Sequence, residues 1–214
     1  MNVRNAVCGA LAVFLPFSAV AARAESASET MKFAVTRDDA PIGTNTIDVI
    51  RKGAETSVQI VTHVAVGMAF FTLYKFDQTE TELWTNGRLL AMNAITDDNG
   101  TLHHTNVNNR DGKLVVDGDG QVQKLATTVL PASLWNTAML SQNVALNPED
   151  GKLVPVSVVD RGEDSLTIGG HLERVHHYLL KTIFAQDVWY DDGHHLVRME
   201  LKGADGSTIR YQLI

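Results

Sequence analysis

The sequence predicts a mainly β protein, a strongly curved antiparallel meander or unclosed half-barrel with one short helix in its concavity. Segments of alternating or β-branched apolar residues recur about every ten positions, which is the spacing of short strands. Glycine-containing turn signals such as TNGR, DDNG, RDGK and ADGS separate these segments. One segment, LPASLWNTAMLSQ, interrupts the β pattern. Together these observations favour consecutive hairpins that curve around a helical segment.

The N-terminus has the organisation of a secretory signal peptide. The start MNVRN carries one positive charge and is followed by the apolar run AVCGALAVFLPFSAVA. The run ends in Ala22, Arg23 and Ala24, which place small residues at positions −3 and −1 of a cleavage site. We expect cleavage after Ala24, so that residues 1–24 are removed and residues 25–214 form a single β-rich domain in the periplasm.

The expected mature chain excludes several kinds of chemistry and partner. The single cysteine, Cys8, is lost with the signal peptide, so no disulfide, thiolate ligand or cysteine nucleophile is expected. The mature chain has 16 basic residues and 25 acidic residues, a net charge of −9. On electrostatic grounds, nucleic acid is therefore not expected as a partner. After residue 24, no segment is apolar enough to predict a transmembrane span.

The strand at residues 57–68 and the hairpin that follows it can be assigned from their patterns. Asn86 and Gly87 suit a two-residue turn with positive φ at both positions. This turn would pair Trp84 with Leu89 and Leu83 with Leu90.

The last hairpin has a register that side-chain chemistry selects. A three-residue loop at residues 204–206 pairs Leu201 with Ile209 and Glu200 with Arg210. The second pair joins opposite charges, worth about 0.2–1 kcal/mol. Gly206 is expected at the left-handed position of this loop.

The interrupting segment predicts a short helix at residues 133–142. Ser133 can cap the helix after Pro131. A helical wheel places one apolar stripe on its surface, formed by Leu134, Trp135, Ala138 and Met139. An isolated helix this short is marginal in water, so it must dock in the concavity. It either fills the core or covers a ligand cavity.

Adjacent histidines suggest a metal site, but strand geometry argues against one. A two-residue turn at Asp192 and Gly193 would put His194 outward, while His195 points inward beside Tyr190. The same alternation separates His103 from His104 and His176 from His177. The best alternative is a site formed by His171, Glu173 and His177 on one strand, although its spacing matches no known helical zinc motif. No metal or other cofactor is expected.

No catalytic residues are expected. The chain has no G-x-S-x-G elbow, P-loop or GxGxxG motif. Glu80 and Glu82, with Asp77, are a candidate carboxylate group, but their pattern suggests the solvated face of a strand.

Several sequence words, taken in order, support a family resemblance: PIGT, LYKF, ELWTNGRL, AITDDNG, SLWN, WYDDGHHLVRM and DGSTIRYQL. They resemble an exported proteobacterial family known as domain of unknown function 6134. The resemblance implies a periplasmic β-rich domain and carries no established activity, cofactor or catalytic residue. By looser analogy, the chain is similar to periplasmic curved-sheet proteins of the lipoprotein-carrier type.

The leading hypothesis is a non-enzymatic periplasmic domain that binds an apolar or amphipathic small molecule, such as a lipid, in the concave face of its sheet. Alternatives are a metal-assisted hydrolase or lyase that uses strand histidines, and an envelope-assembly domain that binds a protein along a sheet edge. No particular protein partner is predicted. The candidate ligand-binding residues are Trp84, Trp135, Met139, Trp189 and Tyr190.

Overall fold

The computed structural model describes residues 26–68 and 71–214. The expected signal peptide, residues 1–24, and its cleavage site lie outside the described residues. Within these residues, no helix has the length and hydropathy needed to cross a membrane.

The described residues are almost entirely strands. They form 16 strands and one 3₁₀ helix, Thr137–Ser141. The strands are β1 Ser26–Arg37, β2 Ala40–Lys52, β3 Glu55–Met68, β4 Phe71–Thr85, β5 Arg88–Asp98, β6 Thr101–Arg110, β7 Lys113–Gly118, β8 Gln121–Ala126, β9 Leu130–Pro131, β10 Val144–Leu146, β11 Leu153–Pro155, β12 Ser157–Ile168, β13 His171–Lys181, β14 Ala185–Asp191, β15 Leu196–Lys202 and β16 Thr208–Leu213.

Thirteen of the strands form one large antiparallel sheet. Its order is β12-β13-β14-β15-β16-β1-β2-β3-β4-β5-β6-β7-β8, so two consecutive meanders meet where β16 pairs with β1. The end strands β8 and β12 do not pair with each other, so the sheet is not closed into a barrel. The fold class predicted from the sequence is confirmed.

Two adjacent residues show how strongly the sheet curves. Ser133 Oγ donates a hydrogen bond to Glu82 Oε1 on β4, and the carbonyl of Leu134 accepts one from the Tyr190 hydroxyl on β14. These strands are six steps apart in the sheet order, which is roughly 30 Å in a flat sheet. One short segment can reach both only because the sheet wraps around it.

The concavity holds the main hydrophobic core. Inner-face residues such as Phe33, Val49 and Leu114 pack there with the segment between β8 and β12. That segment contains a three-stranded sheet of order β11-β10-β9, which contributes Leu146 and Val154. A smaller second cluster contains Leu166, Val175, Trp189 and Val197.

The helix in the concavity is shorter and tighter than the sequence predicts. Only Thr137–Ser141 is helical, in a 3₁₀ conformation, and its cap is Asn136, whose side chain accepts from the Ala138 N–H. Ser133 does not cap it because its hydroxyl is used by Glu82. The predicted apolar stripe is also wrong at Ala138, which is exposed. A 3₁₀ helix has three residues per turn, so the residues that share one of its faces differ from those of an α-helix.

The strand predicted at residues 57–68 is confirmed within β3. For the hairpin of β4 and β5, one of the two predicted residue pairs is confirmed. Trp84 pairs with Leu89 as predicted, but Leu83 pairs with Ala91 rather than Leu90. A β-bulge causes the difference. The bulge allows both Leu89 and Met92 to be buried in the core, although they are three residues apart.

The register predicted for the last hairpin is confirmed. Leu201 pairs with Ile209, and Glu200 pairs with Arg210. The Arg210 Nε lies 2.7 Å from Glu200 Oε1. Gly206 has φ +83°, as the three-residue loop requires.

The turn between β14 and β15 differs from the predicted two-residue turn. The loop has three residues, 192–194, and is closed by hydrogen bonding between Asp191 and His195. His194, with φ +64°, occupies the left-handed position. The longer loop brings Leu196, rather than His195, opposite Tyr190 and into the core. The predicted inward orientation of His195 is therefore wrong.

Candidate functional site

The concave face of the sheet contains a cavity, and the five residues predicted to bind ligand do not line it. Trp84 and Met139 are buried in the main core, with Trp135 packed against them. Tyr190 is also buried there, and its hydroxyl is bonded to Leu134. Trp189 belongs to the second cluster, where it stacks on His177 at a centroid distance of 4.4 Å. Other residues therefore line the cavity of the concave face.

A cavity of about 390 Å³ opens in the concave face. It extends from β14 through β15, β16 and β1 to β4, and the segment around residues 132–149 forms another side. Most of its wall is apolar, which is typical of small-molecule sites. Representative apolar wall residues are Phe33, Ile60, Val64, Phe76, Met199 and Leu201.

A row of polar side chains crosses the wall of this cavity. Asn45, Thr62 and Gln78 occupy paired positions on β2, β3 and β4. Asn45 Nδ2 donates to Thr62 Oγ1 at 2.8 Å, and Gln78 Nε2 donates to Thr96 Oγ1 at 2.9 Å. Each of these side chains thus has a side-chain hydrogen-bond partner, within the row or on β5, so the row is stable without a ligand.

Glu82 lies beyond the cavity wall and has three hydrogen-bond donors around its carboxylate. Ser133 donates to Oε1 at 2.5 Å. The indole N–H groups of Trp84 and Trp135 both donate to Oε2, at 2.6 and 2.8 Å. A buried carboxylate is stable when such donors replace the water that it has lost. Glu82 therefore fixes the segment around residues 133–135 against β4.

Glu80 is the unusual group of the cavity wall. Its side chain is buried, with only 2% of the residue exposed, yet Oε1 has no hydrogen-bond partner among the described residues. Burial raises the pKa of Glu80 well above its ordinary value, and the nearby charge of Glu82 and a hydrogen bond to Glu82 act in the same direction. The surroundings of Glu80 therefore favour its protonated form over the carboxylate.

The ionisable residues of the wall are acids or phenols. Besides Glu80, they are Glu149, Tyr74 and Tyr211, and no lysine, arginine or histidine of the described chain contributes to the wall. Burial raises the pKa of Glu149, and Asp98 raises it further. Burial also raises the pKa of Tyr211 to about 12, so this phenol stays protonated.

Two exposed apolar residues lie at the mouth of the cavity. Ile183 and Phe184, in the loop between β13 and β14, contribute to the wall although each remains more than half exposed. Exposed side chains of this kind are available to a ligand at the entrance.

The histidines of the alternative metal hypothesis have other partners. His177 Nε2 lies 2.7 Å from Asp187 Oδ1, while His171 and Glu173 are exposed further along β13. His103 and His176 likewise pair with Asp119 and Asp160. Across residues 26–68 and 71–214, no group of three or more His, Cys, Asp or Glu residues is arranged to hold a metal.

Sequence reasoning named Glu80 and Glu82 as a candidate carboxylate group, but its placement of both on a solvated strand face is wrong, because both are buried. The signal that identifies them is alternation on β4, where they have the same parity as Phe76 and Trp84. Asp77 has the opposite parity, and it lies on the outer face beside His63 and Lys75.

Comparisons with known proteins place the chain in context. The family model described as "Domain of unknown function (DUF6134)" matches residues 33–214. No curated protein matches the chain.

Among solved structures, the chain is similar to the crystal structure of a beta-barrel-like protein of domain of unknown function DUF1849 from Brucella abortus. The TM-score is 0.58, and the two sequences are 14% identical over 86% of this chain and 95% of that chain. At this identity, the similarity concerns the fold alone.

Proposed function

Because this chain belongs to the DUF6134 family, a domain of unknown function, its role must be inferred from its own cavity, and we propose that it binds an apolar or amphipathic small molecule there. In this proposal the protein is a non-catalytic periplasmic domain. The signal-peptide pattern of residues 1–24 supports export.

One observation carries the proposal: the concave face has an open cavity of about 390 Å³ where a core-filling segment could have packed. The segment between β8 and β12 fills the neighbouring part of the concavity with Leu130, Met139 and Leu146. It does not fill the region bounded by Phe33, Ile60 and Met199. Apolar surface of this extent is stabilised when an apolar ligand displaces water from it.

The test uses protein purified from the periplasm of its own organism, with native mass spectrometry and titration with a hydrophobic dye. We expect a bound small molecule that denaturation releases, and saturable dye binding to the emptied protein. Leu201→Trp places a bulky ring in the cavity wall and should abolish both signals.

The matched control is Leu172→Trp, because Leu172 is 75% exposed on β13 and lies outside the cavity wall. This variant should bind ligand and dye as the wild type does. An intact mass equal to that of the polypeptide alone, together with equal dye binding by both variants, would contradict the proposed function.

A further inference from the structure

We propose that the ligand of the cavity is a cationic amphiphile, an alkyl chain that carries an amine or quaternary ammonium group, and that its positive charge lies against the Glu149 carboxylate. This inference rests on the proposed function, since it names the class of ligand that the same cavity accepts. Three features of the site carry it: the division of the wall into an apolar and a polar side, the accessibility of Glu149, and the charges around Glu149.

The wall of the cavity has an apolar side and a polar side. Strands β15, β16 and β1 contribute only apolar or aromatic residues, which are Leu196, Met199, Leu201, Ile209, Tyr211 and Phe33. On the other side, β2, β3 and β4 carry the polar row of Asn45, Thr62 and Gln78. A ligand that matches both sides is amphipathic, with its chain along β15, β16 and β1 and its polar group toward β4.

Glu149 lies at the polar side of the cavity. The polar row continues from Gln78 through Thr96 on β5 to His103 on β6. The Nε2 atom of His103 is 3.7 Å from Oε1 of Glu149, so this carboxylate stands at the end of the row. The backbone of Glu149 is held there by Thr105, whose hydroxyl donates to the Glu149 carbonyl at 3.1 Å.

Glu149 is also the acidic group of the wall that a ligand can reach. It lines the cavity, and 29% of its side chain is exposed. The other acid of the wall, Glu80, is only 2% exposed. The phenols of the wall are neutral, since burial holds the pKa of Tyr211 at about 12. The charge that a ligand meets in this cavity is therefore that of Glu149.

The surroundings of Glu149 are short of positive charge. The distance of 3.7 Å to His103 is longer than a hydrogen bond, and Nδ1 of the same ring is 2.6 Å from Asp119. Within the described residues, no lysine, arginine or histidine lines the wall. Besides burial, the charge of Asp98 raises the pKa of Glu149, as expected where acids outnumber bases. A cationic ligand would supply the opposite charge, whereas a carboxylate or phosphate group would enter without a counterion.

The test measures displacement of an uncharged hydrophobic dye from the emptied protein by four probes with the same alkyl chain: decyltrimethylammonium, decylamine, decanol and decanoate. All are used below the concentrations at which they form micelles. For the wild type we expect both cations to bind about five-fold more tightly than decanol, and decanoate to bind more weakly than decanol. Decyltrimethylammonium has no N–H donor, so its advantage measures charge alone. This advantage should decrease at high salt.

Three variants assign the preference to Glu149. Glu149→Gln removes the charge and keeps the size of the side chain, so the cations should lose their advantage while decanol binding is retained. Glu149→Lys should reverse the order, so that decanoate binds more tightly than the cations. The matched control is Glu163→Gln, because Glu163 is on β12 outside the wall, has 73% of its side chain exposed, and changes the net charge equally. It should keep the wild-type preference.

The outcomes separate this inference from the proposed function. If decanol displaces the dye but the cations have no advantage over decanol or decanoate, the inference is overturned and the proposed function stands. An equal loss of the cation preference in Glu149→Gln and Glu163→Gln would also overturn it, because the preference would then come from the net charge of the protein. If none of the four probes displaces the dye, the proposed function is overturned as well. Thermal unfolding checks that the variants fold, and the wild-type series is decisive even if one does not.

Discussion

Trp135 and Glu82 are joined by a 2.8 Å hydrogen bond from the indole Nε1 to the carboxylate Oε2, between residues 53 positions apart in the sequence. The Trp135 ring also meets Trp84 edge-on at a centroid distance of 5.7 Å. The segment around Trp135 is thus held to the sheet by a hydrogen bond and an aromatic contact. The loss of either contact should lower the free energy of unfolding.

Replacing Trp135 separates these two contributions. Trp135→Phe keeps a ring but loses the donor to Glu82, and should cost about 1–3 kcal/mol. Trp135→Ala loses the ring as well, and should cost about 3–5 kcal/mol. Chemical denaturation measures both values, with exposed Ala138→Ser as a control that should change stability little. Equal values for the Phe and Ala variants would mean that the ring contributes nothing.

Glu82→Leu should destabilise the fold strongly. The variant leaves two buried donors, from Ser133 and Trp84, and the partly buried Trp135 donor without their acceptor. We expect a loss of about 3–5 kcal/mol in denaturation experiments, comparable to breaking a buried charge pair. Thr81→Val on the exposed face of the same strand is the control and should stay within about 0.5 kcal/mol. A mild effect of Glu82→Leu would show that the three donors find water instead.

The raised pKa of Glu80 predicts a pH-dependent stability difference between the wild type and Glu80→Gln. The folded wild type holds a proton that the unfolded chain releases above the ordinary glutamate pKa of about 4.3. The contribution of Glu80 to stability is therefore fully present below that pH and decreases as pH rises toward the folded pKa.

Glu80→Gln lacks this proton, so its stability relative to the wild type should increase with pH by up to about 1.4 kcal/mol per pH unit. Denaturation of both proteins between pH 5 and pH 8 gives the difference. Taking a difference cancels the contributions of other titrating groups. A constant difference over this range would show that Glu80 is ionised in the folded protein.

The parts of the structure that were predictable depend on local patterns. The meander follows from turn residues and strand spacing, and the register of the last hairpin follows from the Glu200 and Arg210 pair. The bond between Ser133 and Glu82 joins residues 51 apart in the sequence, so no local pattern contains it. Consequently, the partner of the Ser133 hydroxyl and the cavity wall emerge only when the sheet curves around the inserted segment, whereas alternation along β4 is a local signal for the burial of Glu80.

Gly206 provides a test of the last hairpin. Its φ of +83° is in the left-handed region, and a Cβ atom added there would meet no neighbouring atom within 4 Å. The cost of substitution is therefore conformational rather than steric crowding. Gly206→Val should lose about 1–2 kcal/mol because a β-branched residue resists this φ. Gly206→Asn should lose less, since asparagine tolerates the left-handed region. Equal stability of the two variants would contradict this explanation.

The histidines of the β14–β15 turn give the last prediction, because they differ in backbone conformation as well as in contacts. His194 is exposed with φ +64°, whereas His195 has Nδ1 3.0 Å from Asp191 Oδ2 and Nε2 3.2 Å from Glu29 Oε1. His194→Asn should remain within about 0.5 kcal/mol of the wild type, since asparagine accepts positive φ and no buried contact is lost.

His194→Val should instead cost about 1–2 kcal/mol through backbone strain. For His195, half-exposure limits the value of its contacts with Asp191 and Glu29, so His195→Asn should cost no more than about 1 kcal/mol, and any part of this cost that is ionic should weaken at high salt. Thermal denaturation of the three variants at low and high salt tests the turn. A larger loss for His194→Asn than for His194→Val would refute the three-residue loop, because only that loop requires a left-handed residue at position 194.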